Sequence, residues 1–160
     1  MSHHHPDALG FSEMPGGGKF VVVLLWIRFG LGICATFGLI TLVNALNGMP
    51  EAAALLPDWY DGFVAFSVVQ TIVWVILYAV FAVRLPQRRQ SARTGVITLE
   101  IVGLALAVLS FGAMQGTYND LAAQGADFTS TYVGSCLGAV MSFIVIGILS
   151  GAEMKSWCDR

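Results

Sequence analysis

Charged side chains are scarce in this chain. Asp, Glu, Lys and Arg make up 11% of its 160 residues, against roughly 25% in a soluble globular domain. Hydrophobic residues make up 56%, so too little polar surface remains to face water all round. The 8 Lys and Arg form no basic stripe interleaved with aromatics, which excludes a nucleic-acid partner. Histidine is confined to His3, His4 and His5. No imidazole therefore lies in an apolar run to ligate haem or a metal, no function is assigned to the terminal run, and no cofactor is expected. Cysteine is limited to Cys34, Cys136 and Cys158, with no CxxC. That excludes a disulfide framework and dithiol redox chemistry, and the three are expected as small, packed thiols. HExxH, GxSxG, Walker and dinucleotide motifs are all missing, so no catalytic residue is assigned and a non-enzymatic role is preferred.

What the chain has instead is four long apolar runs. They predict an all-α, four-helix transmembrane up-down bundle. The spans are expected at about 20–46, 62–83, 94–114 and 131–150, inside a membrane domain covering 19–155. Residues 1–18 end in Pro15-Gly16-Gly17-Gly18 and predict a disordered tail, and 156–160 a second short tail. Ala52–Leu56 is expected as a short interfacial helix.

The placement of basic residues orients the spans. Lys19, then Arg84, Arg88, Arg89 and Arg93 in the turn between spans two and three, then Lys155 and Arg160 all fall on one side of a four-span chain. The loops on the other side carry Glu51, Asp58, Asp61, Asp120 and Asp127 and no Lys or Arg. Basic loops stay in the cytoplasm, so both termini and the Arg turn are expected there, in a multi-pass protein of the cytoplasmic (inner or plasma) membrane. Trp59, Tyr60, Tyr118 and Tyr132 fall near the opposite boundary, where amphipathic aromatics collect.

Two ionisable side chains lie well inside the spans, Arg28 and Glu100. At 1.5 Å per residue, Arg28 lies about 13 Å beyond Lys19 and Glu100 about 10 Å beyond Arg93. Similar depth predicts an intramembrane ion pair, which offsets the roughly 3 kcal/mol that a charge near mid-membrane costs on insertion scales. Tyr78 is expected at similar depth as a hydrogen-bond partner. A polar core or ligand pocket is expected from Gln70, Thr71, Trp74 and Tyr78, with Ser110 and Ser142. Small residues spaced for one helix face recur as Gly30, Cys34 and Gly38, as Gly103 and Ala107, and as Gly134 and Gly138. Such faces let helices approach closely, within the protomer or against another subunit. Arg84, Arg88, Arg89 and Arg93 are expected to face lipid headgroups.

The stretches Leu25-Trp26-Ile27-Arg28-Phe29-Gly30, Tyr78-Ala79-Val80-Phe81-Ala82-Val83-Arg84 and Ala92-Arg93-Thr94-Gly95 resemble, in pattern, small four-span proteins of unknown function common in actinobacteria. That resemblance implies the four-span fold and no activity. Small multidrug exporters also have four spans but carry their carboxylate in the first, where this chain has Arg28. The function expected is that of an accessory or assembly subunit, or a self-associating bundle, with membrane lipids and another membrane subunit or a second copy as partners. The alternatives are a small transporter or channel using Glu100, and a protein that binds or acts on a lipid or quinone near Trp74 and Tyr78.

Overall fold

The computed structural model describes residues 11–48, 56, 58–123 and 129–159. Among these the chain is helical, with no strand. A 3-10 turn, Phe11–Glu13, precedes α1 (Gly16–Asn47). Next, α2 (Tyr60–Arg84) leads into a second 3-10 turn, Leu85–Gln87. Then come α3 (Gln90–Ala123), α4 (Thr129–Ser150) and the short α5 (Ala152–Cys158).

Four helices are long and apolar enough to cross a membrane, over Gly16–Thr41, Tyr60–Gln87, Gln90–Gly116 and Tyr132–Ser150. The shortest stretch, 19 residues, rises about 28 Å, close to a hydrocarbon core of about 30 Å. Phe37, Phe66, Val108, Leu109, Leu137 and Phe143 each lie more than half exposed. Such surface is costly against water and costs nothing against lipid.

Hydrocarbon offers the backbone no outside partner, so even a run of β-branched residues such as Val21-Val22-Val23 is helical. Hydroxyls within the spans obey the same constraint. Thr36, Thr41, Ser67 and Thr71 donate to the carbonyls of Gly32, Phe37, Phe63 and Ser67, at 2.9, 2.9, 2.8 and 2.7 Å. Each returns its proton to its own helix one turn back.

The helix ends depart from the expected bounds where hydropathy and hydrogen bonding part company. Pro15-Gly16-Gly17-Gly18 was expected in a disordered tail, yet α1 starts at Gly16, and the Pro15 carbonyl accepts the Lys19 N–H at 3.0 Å. Glycine is admitted there because close neighbours fill the space where side chains would stand. A Cβ on Gly17 would lie 2.9 Å from the Ile148 side chain, and one on Gly18 would lie 2.7 Å from Met154 Sδ. At the other extreme α3 continues past Met114 to Ala123. Loss of hydrophobicity ends a span, but it does not end a helix whose carbonyls water can help to satisfy. The residues expected as a C-terminal tail mostly belong to α5, which buries Met154, Trp157 and Cys158. Residues 1–10 of the expected tail and residues 52–55 of the expected interfacial helix lie outside the described residues.

The chain divides into two compact units, Val22–Val83 and Met1–Val21 with Arg84–Arg160. In the first, Arg28 meets Tyr78 and Gly32 meets Val75. In the second, the start of α3 meets the end of α4 through Arg93 and Leu149. Toward the end of α3, Phe111 and Tyr118 meet Tyr132 near the start of α4, with ring centroids 5.5 and 6.5 Å apart. These contacts at both ends set α3 and α4 antiparallel, and about 26 Å of α4 separates Tyr132 from Leu149.

Candidate functional site

Arg28 sits in the Val22–Val83 unit, where its Nη1 donates to the Tyr78 hydroxyl at 3.1 Å. Its guanidinium carbon also lies 5.6 Å from the Tyr78 ring centre. Tyr78 is buried, so the phenol offers Arg28 an acceptor and a π face in a region where bare charge is costly. On the same helix Gln70, Thr71 and Trp74 are half-buried. The Thr71 proton is taken by Ser67, so as a donor Thr71 serves its own helix.

Among the glycines of α1, the one in closest contact is Gly32, which the small-residue spacing did not single out. A Cβ there would overlap the Val75 side chain. Gly30 and Gly38 have nothing within 4 Å of an added Cβ, and Cys34 is exposed. Gly32 breaks the four-residue spacing, so its role comes from the neighbouring helix and has no signal in α1 itself.

Glu100 belongs to the other unit and is 1% exposed. On α4 the buried positions are Ser142, Val145 and Leu149, three and four apart and so on one face. Ser142 donates to the Gly138 carbonyl at 3.2 Å. Ser110 and Gly103 are half-buried and Ala107 is exposed. From Tyr132 to Gly138 every residue of α4 is exposed, and a Cβ on Gly134 or Gly138 would meet nothing within 4 Å. Cys136 is exposed in the same stretch. Cys34 and Cys136 are therefore not the packed thiols expected, because each is exposed on its helix among the described residues.

The Arg turn divides into two kinds of arginine. Arg84 and Arg89 are exposed. Arg88 and Arg93 turn into the protein. Arg93 Nε donates to the Leu149 carbonyl at 2.6 Å, capping the end of α4 where unsatisfied carbonyls carry partial negative charge. Arg88 stands in left-handed backbone, φ 58°, which costs a non-glycine residue about 1 kcal/mol. Pro86 in the preceding 3-10 turn stops α2 and sets up this reversal. From there the Arg88 guanidinium reaches 3.9 Å over the Trp157 ring. Its Nη2 lies 3.6 Å from Glu13 Oε2.

Thus Arg88 joins the segment before α1 to α5, and Lys19 fastens the same segment by donating to the Ser12 carbonyl at 2.8 Å. The Cys158 thiol is buried beside this cluster. Burial pushes its pKa up, Arg93 pulls against that rise, and Asp159 adds to it. Glu13 and Trp157 were missed as site residues because nothing in their spacing links positions so distant in sequence. The described residues contain no His, Cys, Asp and Glu cluster able to hold a metal ion.

Comparison with known proteins finds no match to a family model, a curated protein or a solved structure.

Proposed function

We propose that this chain is a non-enzymatic subunit of the cytoplasmic membrane that associates with another membrane protein or with its own copies. In this reading it is a four-span up-down bundle with both termini and the Arg turn on the cytoplasmic side. Four apolar helices support the span count, and the one-sided Lys and Arg distribution supports the orientation.

One observation carries the association. The Tyr132–Gly138 stretch lies inside a membrane span and is exposed throughout, and Gly134 and Gly138 stand open on one face of it. Against lipid a glycine face gives up contact area, whereas against another helix it permits close backbone approach. The test is cross-linking through the native Cys136 in membranes, followed by mild extraction and mass measurement. A defined homo-oligomer or a stoichiometric partner is expected, and Gly138→Leu should abolish it without lowering thermal stability. A monomer with no partner refutes the reading.

A second reading is favoured by the burial of Glu100. A carboxylate 1% exposed on a span is a site at which a proton or cation can be handed across, since intramembrane ionisable groups mark such pathways. On the first reading Arg28 and Glu100, at similar depth in the sequence, serve to fix register. The two readings separate in proteoliposomes. A transporter loses proton or cation flux in Glu100→Gln while staying folded, and a purely structural subunit shows no flux in the wild type.

A further inference from the structure

The stacked pair Arg88–Trp157 holds hydrogen-bonding capacity that the described protein does not use. Arg88 Nε and Trp157 Nε1 are both buried, and neither has an acceptor among the described residues. Trp157 as a whole is 9% exposed. Buried N–H groups in proteins nearly always find an acceptor. Both groups here donate only, so what satisfies them must bring acceptor oxygens. Because the guanidinium lies 3.9 Å over the indole, the two donors lie close together.

We propose that Arg88 and Trp157 bind the phosphate of an anionic phospholipid. The apolar stretch Tyr60–Gln87 ends one residue before Arg88, which sets the guanidinium at the level where lipid phosphates lie. Arg84 and Arg89, exposed on the same turn, add the positive field that gathers anionic headgroups. The competitor is Glu13. Its carboxylate stands 3.6 Å from Arg88 Nη2 and is half exposed, too far for a hydrogen bond and free to swing away. Because Nε and Nη2 share one edge of the guanidinium, carboxylate and phosphate contend for the same donors.

Native mass spectrometry of the purified full chain tests this, with phosphatidylglycerol, diacylglycerol and inorganic phosphate as probes. Phosphatidylglycerol should be retained and diacylglycerol should not. Trp157→Phe keeps the ring under Arg88 and removes only the N–H. It should weaken phosphatidylglycerol binding about tenfold, the worth of one hydrogen bond to a charged group. Arg88→Lys keeps the charge and removes Nε, and should do the same if Trp157→Phe fails to fold. Glu13→Gln should tighten binding by removing the competitor. Equal retention by the wild type and Trp157→Phe overturns the proposal, since buried water then serves both donors. Binding of inorganic phosphate in preference to phosphatidylglycerol overturns the lipid assignment. A Glu13→Gln variant that melts earlier and binds no tighter also overturns it, because Glu13 is then the true partner of Arg88.

Discussion

Removing the Arg93 side chain should loosen α5. Arg93 Nε meets the Leu149 carbonyl at 2.6 Å, a short charge-assisted bond to a fully buried residue at the end of α4. Such a bond is worth about 1.5–3 kcal/mol, and favourable charge at a helix C-terminus adds about 0.3–1 kcal/mol. In Arg93→Gln the backbone around Gly151, which connects α4 to α5, loses its anchor. The reporter is already in place, because Cys158 is buried on α5. With Cys34 and Cys136 replaced by alanine, a water-soluble maleimide reads only Cys158. If labelling requires local opening, a loss of about 1.5–3 kcal/mol speeds it about 10- to 150-fold at fixed pH. The substitution also removes a positive charge that lowers the thiol pKa, which alone makes the thiol less reactive. A faster rate therefore reports opening and not thiolate supply. An unchanged or slower rate refutes the claim that Arg93 holds this end of the protein together.

Two further outcomes follow from the same geometry. Gly32→Ala forces a Cβ onto Val75 and should destabilise the α1–α2 unit by about 1–3 kcal/mol, measured by detergent titration or thermal unfolding. Val75→Ala should rescue it, since the clash is with a Val75 Cγ while the Val75 Cβ stands 3.8 Å from the new methyl; failure of the rescue means Gly32 is needed for another reason. The Cys158 thiol has its pKa raised in the folded protein, chiefly by burial. Its contribution to holding α5 is therefore fully present below the unfolded thiol pKa and lost as pH rises through the folded one. Thermal stability should fall on the alkaline side, and less so in Cys158→Ser, whose hydroxyl does not titrate there; identical pH profiles would contradict this.

The spans were legible in the sequence because bilayer thickness imposes a length on apolar runs, and all four runs form helices. Helix ends were less so. Gln115–Ala123 reads as polar loop, yet α3 passes through it, and the glycines that read as a tail open α1, where Ile148 closes over Gly17 and Met154 over Gly18. The basic turn was legible as four arginines, but not as two pairs. Whether an arginine meets water or Trp157 depends on a left-handed residue and on where α5 docks, and both arise only in three dimensions. The spacing of Gly134 and Gly138 was visible, while their openness depends on what the rest of the chain leaves uncovered.

The side of the membrane that holds the Arg turn decides the orientation of every span. In a variant lacking native cysteines, Gln87→Cys on that turn and Asn119→Cys near the end of α3 each offer an exposed position. A membrane-impermeant maleimide applied to intact cells should label Asn119→Cys at once and Gln87→Cys only after permeabilisation. Labelling of Gln87→Cys in intact cells, or of both positions from the same side, would contradict the four-span, cytoplasmic-turn arrangement.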